Sequence, residues 1–136
     1  EAMINYLRAV GIRATLRFGQ YAAMREQIRA NRAGMAHQTW GSFSINDTSA
    51  STPVYYKGLD DDISRDPKVI ELLERGDTVT DPQQRIAAYR EAHRIIGEQV
   101  YSVPLYNLVT FYAASRDLEF AAYPDELPRF WEMRWK

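Results

Sequence analysis

Two histidines, a run of three aspartates and one Asn-Asp pair are the groups in this chain best suited to acting on a substrate or holding an ion. His93 recurs at helical spacing with Ile86, Tyr89, Ile96 and Val100, which predicts a hydrogen-bonded core histidine on the apolar stripe of a helix. His37 lies beside Gln38 and Thr39, a polar run suited to facing a water-filled cleft. Paired with Asp47 it gives the elements of a small hydrolase, but a triad also needs an activated nucleophile. No glycine-flanked serine elbow occurs, no cysteine exists, and no glycine-rich loop could cradle a phosphate. Asp60, Asp61 and Asp62 could offer oxygen ligands to a hard cation, yet they lack the spaced Asp, Asn and Glu pattern of a calcium loop. Those carboxylates, with Glu71 and Glu74, read as turn or solvated groups. The expectation is a protein without catalytic residues, metal or cofactor.

What remains is the segment Trp40-Gly41-Ser42-Phe43-Ser44-Ile45-Asn46-Asp47. It leaves a predicted strand end on the side where ligands of open α/β sheets bind. From Gly41 to Asp66 the composition turns to Ser, Thr, Asn, Asp and Gly, with an aromatic step at Val54, Tyr55 and Tyr56. This predicts a long loop with one short helix, and loops of such length are uncommon unless they bind something or move. Trp40, Phe43, Ser44, Asn46 and Asp47 are therefore the candidate ligand-binding residues. Asp47 has a second reading, as a loop cap bonding backbone amides near Thr48 and Ser49.

The elements that must position this loop follow from periodicity. Ile12, Ala14, Leu16 and Phe18 alternate with Arg13, Thr15 and Arg17, the pattern of a half-buried strand. Tyr21, Met24 and Ile28 then mark an amphipathic helix with Gly34 as its stop, and Met35 to Trp40 reads as a second strand. The first forty residues thus predict a βαβ unit. Met3, Ile4, Leu7 and Val10 lie on one side of a helix that Gly11 ends. Asp66-Pro67 and Asp81-Pro82 are each an N-cap carboxylate followed by proline at the first helical position, and Gln84 occupies a capping-box position. Val103 to Ala113 predicts a further strand with Pro104 at its start, and the alternating tail from Arg129 predicts a docked terminal strand. The fold class is α/β (α+β), a mixed sheet with flanking helices.

At 136 residues the chain has room for one domain with a real core. With 17 basic and 18 acidic residues it carries no electrostatic footprint for nucleic acid or an anionic membrane. No apolar run is long enough to insert in a bilayer, and no charged start plus apolar core marks a signal peptide within these residues; one is expected to lie upstream.

The order of local signatures is itself informative: Val10-Gly11-Ile12-Arg13, Trp40-Gly41 leading to Asn46-Asp47, Asp81-Pro82 with Arg85, Tyr89, Ala92, Ile95 and Ile96, then Val103-Pro104-Leu105-Tyr106. This series resembles the C-terminal part of the family 5 extracellular solute-binding proteins, receptors of ABC importers for peptides, opines, nickel and some sugars. The resemblance implies that residues 1–136 are a single-domain, C-terminal fragment of a larger two-lobe protein, like one lobe of a periplasmic-binding-protein-like type II fold. It implies a periplasmic or extracytoplasmic location, a small-molecule or peptide ligand, and ABC permease subunits as partners through the whole protein. In peptide-binding relatives the loop after the matching tryptophan supplies a carboxylate to the ligand's ammonium; Asp47 is the matching acid. The departure is that relatives place it three or four residues after the tryptophan, where this chain has Phe43 and Ser44. A stand-alone α/β protein-interaction module, with Tyr101, Tyr106, Tyr112 and Trp131 as an aromatic surface, is the second expectation. A small hydrolase using Asp47 and His37 is the third. Bare aromatic surface also leads to the expectation that the isolated fragment associates or forms a domain-swapped dimer.

Overall fold

The computed structural model of the chain describes residues 2–41, 45, 47–123, 125 and 127–136. It divides into two compact units, Glu1–Ala36 and His37–Lys136. The first holds α1 (Ala2–Ala9) and α2 (Tyr21–Arg29). Both helices end in the same way, because a helix leaves its last carbonyls without donors. After α1, Gly11 takes a left-handed conformation and donates to the Arg8 carbonyl at 3.0 Å, while Ile12 donates to Leu7 at 2.9 Å. After α2, Asn31 plays that part, donating to Ile28 while Arg32 donates to Gln27. Both are Schellman closures. The helix stop expected at Gly34 therefore falls at Asn31, whose short polar side chain tolerates positive φ.

The second unit is organised by α4 (Pro67–Thr78) and α5 (Pro82–Glu98), preceded by a 3₁₀ turn at Thr48–Ala50 and α3 (Thr52–Tyr56). Each long helix begins as its Asp-Pro start dictates. Asp66 accepts from the Lys68 and Val69 amides, and Asp81 from those of Gln83 and Gln84. Gln84 departs from the capping-box reading, since its side-chain oxygen accepts from Arg75. Val69, Leu72 and Leu73 of α4 and Tyr89, Ala92 and Ile96 of α5 form the core, with Tyr56 and Ile95 packed against it. Gly76 lets the helices close: a Cβ there would sit 2.6 Å from the Tyr89 ring.

The stripe on α5 is rotated from the expected one. Ala88, Tyr89, Ala92 and Ile96 are buried, whereas Ile86 and His93 are exposed. Tyr89, Ala92 and Ile96 are the α5 residues that join the α4 core, so the 89-92-96 row faces α4. His93 is thus a surface residue, and Val100 lies beyond the helix in a third Schellman closure at positive φ.

The mixed sheet and the βαβ start are corrected. The described β-structure is one antiparallel pair, β1 (Leu118–Glu119) with β2 (Arg134–Trp135), in the register Leu118 to Trp135 and Glu119 to Arg134. Ile12 to Phe18, Met35 to Trp40 and Val103 to Ala113 form no strand. Helical signals are satisfied within their own segment, but a strand's amides and carbonyls need a neighbouring strand, and alternation alone supplies none. The coarser α+β description holds. The tail keeps part of its predicted role: Phe130–Glu132 is a 3₁₀ turn, while Arg134–Trp135 docks as a terminal strand, with the Lys136 amide donating to the Asp117 carbonyl at 2.9 Å. Among the described residues no helix is long and apolar enough to cross a membrane.

Candidate functional site

The loop that carries the predicted site residues runs from Trp40 towards α4, and three of those residues, Phe43, Ser44 and Asn46, lie outside the described ones. Trp40 and Asp47 are described. The Trp40 indole Nε1 donates to the Ala50 carbonyl at 3.2 Å, and its ring meets Tyr55 edge-on with centroids 6.1 Å apart. The Tyr55 hydroxyl in turn donates to the Thr39 carbonyl. Trp40 remains 47% exposed, so an aromatic face is fixed in orientation and still open to solvent.

Among the described residues of the loop, Asp47 makes several side-chain bonds at once. It is the N-cap of the Thr48–Ala50 turn, where its Oδ1 accepts from the Ser49 amide at 2.9 Å and the Ser49 hydroxyl at 2.7 Å. The same oxygen accepts from Arg85 Nη2 at 2.6 Å, and Oδ2 accepts from Arg85 Nη1 at 2.9 Å. This is the two-pronged Arg–carboxylate geometry, shorter and stronger than a neutral bond. The Arg85 guanidinium, followed by the Ser49 donors, holds the Asp47 carboxyl well below the usual carboxylate range. Arg85 moves the opposite way, its charge held by Asp47.

Behind Arg85 stands a network built by both long helices. Arg85 Nε donates to the Gly76 carbonyl at 3.0 Å and Nη2 to the Tyr89 hydroxyl at 3.1 Å, with the guanidinium 4.9 Å from the Tyr89 ring centre. The Tyr89 hydroxyl donates to Asp77 Oδ1 at 2.5 Å, and Asp77 Oδ2 accepts from Lys57 Nζ at 2.7 Å. Burial, then the bond to Asp77, pushes the Tyr89 phenol up to about 12. The charges alternate from Asp47 through Arg85 and Asp77 to Lys57, so each is compensated by its neighbour.

Arg85 was legible in the sequence without being assigned a role in the site. The spacing Arg85, Tyr89, Ala92 and Ile96 puts an arginine on a buried stripe, and an arginine there needs an acid. What spacing could not identify was the acid, which lies 38 positions away.

The other candidate groups are dispersed. His37 stacks on Tyr106, with ring centroids 6.3 Å apart, whereas Asp47 is committed to Ser49 and Arg85, so the bonds of the two lead in different directions. Asp62 departs from a solvated turn: it is 1% exposed, and its carboxylate accepts from the Gly58 amide, the Ser64 hydroxyl and the Arg65 amide. It organises the turn before α4. Among the described residues no group of three or more His, Asp or Glu side chains could hold a metal ion. Of the expected aromatic surface, Tyr101, Tyr106 and Trp131 are exposed, Tyr101 while donating to Asp66, whereas Tyr112 is half-buried and donates to the Tyr123 carbonyl. A concavity of about 290 Å³ lies beside the β1–β2 pair, lined by Glu119, Phe120, Ala121, Glu132 and Arg134, and includes none of the predicted site residues.

Compared with protein-family models, with curated proteins and with solved structures, the chain shows no significant match to any of them.

Proposed function

We propose that this chain is the ligand-binding lobe of an extracytoplasmic solute-binding protein that delivers a peptide-like or other small polar solute to the permease of an ABC importer. One observation carries the reading. Trp40 offers a half-exposed aromatic face at the head of a long polar loop, and that loop is tied to a rigid helix pair through Asp47 and Arg85. Binding loops placed on rigid scaffolds are the usual means of holding a solute without chemistry on it. The motif order from Val10 to Tyr106 adds the family resemblance. Asp47 serves the loop as cap and pin, and Trp40 as a wall against the solute. Ligand is enclosed when a second lobe closes over the loop by hinge motion.

Enclosure sets the test. A micromolar solute is held by about 8 kcal/mol, and removing half its contacts leaves about 4 kcal/mol, near millimolar. A mixture of short peptides titrated calorimetrically into the longer two-lobe protein should bind, and the same mixture should fail to bind the chain of 136 residues alone. Micromolar binding by this chain alone would overturn the two-lobe reading and favour the stand-alone module.

A further inference from the structure

We infer that Arg85, which lies outside the candidate loop, is the positioning residue that fixes Asp47, the Thr48–Ala50 turn and the Trp40 indole bonded to it, by gripping Asp47 with both of its Nη groups. The inference rests on the proposed function only for what the loop binds; the grip itself involves no ligand.

The grip is built before it closes. On the helix side, Arg85 is oriented by the Gly76 carbonyl and by the Tyr89 hydroxyl, and Tyr89 is oriented by Asp77, which Lys57 holds from the end of α3. An arginine whose fork is already aimed loses little freedom when it meets a carboxylate, and a lysine could not reproduce the paired bonds. On the loop side, Asp47 closes the Thr48–Ala50 turn through Ser49, and its own carbonyl accepts from the Ala50 amide at 3.1 Å. The Ala50 carbonyl then accepts from the Trp40 indole. An unbroken series of bonds therefore runs from α5 to the aromatic wall of the candidate site, and releasing Asp47 frees the carbonyl that orients Trp40.

The arrangement also bears on the class of solute. A ligand ammonium reaching Asp47 meets a carboxylate whose charge a guanidinium already balances, and it must displace a two-pronged partner to pair fully. A solute whose only charge is an ammonium thus gains little at this point, so selectivity falls on shape and on contacts with Trp40.

The experiment reads the Trp40 indole N–H by ¹⁵N–¹H correlation spectroscopy on the chain without ligand, the resonance being assigned through Trp40→Phe. Arg85→Gln should displace that resonance and speed its hydrogen exchange. Arg85→Lys, which keeps the charge but loses the fork, should displace it too, and a resonance left in place by Arg85→Lys would overturn the two-pronged grip. Because Arg85 also touches α4, Asp47→Asn supplies the second arm: it leaves the bonds to Gly76 and Tyr89 in place and should still move Trp40. An unmoved indole in Asp47→Asn overturns the inference, whatever Arg85→Gln does to the helix pair. No ligand enters these measurements, so their failure leaves the peptide titrations to decide the proposed function separately.

Discussion

The α4–α5 pair and the segment 103–111 have opposite fates, although the segment is the richer of the two in apolar residues. In the helix pair Leu73, Val69 and Ala92 are fully buried, the caps are made and the core is continuous. In the segment Val103, Leu105, Val109 and Phe111 are exposed on one side of the alternation, and Tyr106 and Leu108 on the other. A stretch apolar on both faces is the pattern of a strand inside a sheet covered on both sides. The difference teaches where folding information resides. A helix closes its hydrogen bonds within itself and needs only one partner face, whereas such a strand needs neighbours at both edges and layers on both faces.

The comparison breaks most directly at Leu73. Leu73→Ala leaves a cavity where nothing is exposed to water, and such truncations cost about 2–5 kcal/mol. Chemical denaturation followed by far-UV circular dichroism should show the loss. A cost below about 1 kcal/mol would mean that the helix pair is as loosely held as the extended segment. Next comes Gly76→Ala, which sharpens the same point by adding an atom. Its Cβ would lie 2.6 Å from the Tyr89 ring, so the ring or the helix must shift, and overpacking of this kind costs about 1–3 kcal/mol. Because Tyr89 also orients Arg85, this variant should disturb the Trp40 indole as well, whereas Leu73→Ala should disturb it less.

A smaller effect follows at the helix starts. Asp81→Ala removes the acceptor for the Gln83 and Gln84 amides and should lower stability by about 1 kcal/mol in the same unfolding measurement. Asp81-Pro82 and Asp66-Pro67 were legible because a cap and the helix it starts are neighbours in sequence. Gly11 was legible as a stop for the same reason. The stop of α2 at Asn31 and the rotation of the α5 face were not, since the first depends on which of two tolerant residues takes positive φ and the second on which α5 residues meet the α4 core. The sheet was the least legible part. Alternation at Ile12 to Phe18 gives a face to a strand but cannot say what lies beside it. The capping role of Asp47 was legible from its type and place in the loop, while Arg85 was visible only as a member of the motif that follows Asp81-Pro82.

Acid offers a further way to part the two regions. Asp47 has its carboxyl lowered by Arg85 and Ser49, so its contribution is present above the ordinary carboxylate pKa of about 4 and is lost as pH falls from there towards the lowered folded value. Arg85 stays charged throughout, and Tyr89, raised towards 12, stays neutral in that range, so neither reverses the sign. The pair is a third exposed, which screens it and keeps the effect modest. Trp40 indole exchange should therefore quicken below about pH 4 while the far-UV signal of α4 and α5 persists. Simultaneous loss of both signals would make the loop and the helix pair one cooperative unit.

The smallest effect on stability belongs to the extended segment itself. Phe111 is 89% exposed, so Phe111→Asp removes little packing and should change the unfolding free energy by no more than about 0.5 kcal/mol. Its effect should be on association instead. An exposed apolar stretch that forms no strand of its own offers a surface for pairing with another chain, and a charge placed on it is the device by which natural sheet edges prevent that. Light scattering across a concentration series should show the unaltered chain associating and Phe111→Asp remaining monomeric. Loss of stability comparable to that of Leu73→Ala would mean that Phe111 is packed in solution, and the contrast between the two regions would disappear; a monodisperse monomer for the unaltered chain would mean that the segment's exposed faces are not adhesive.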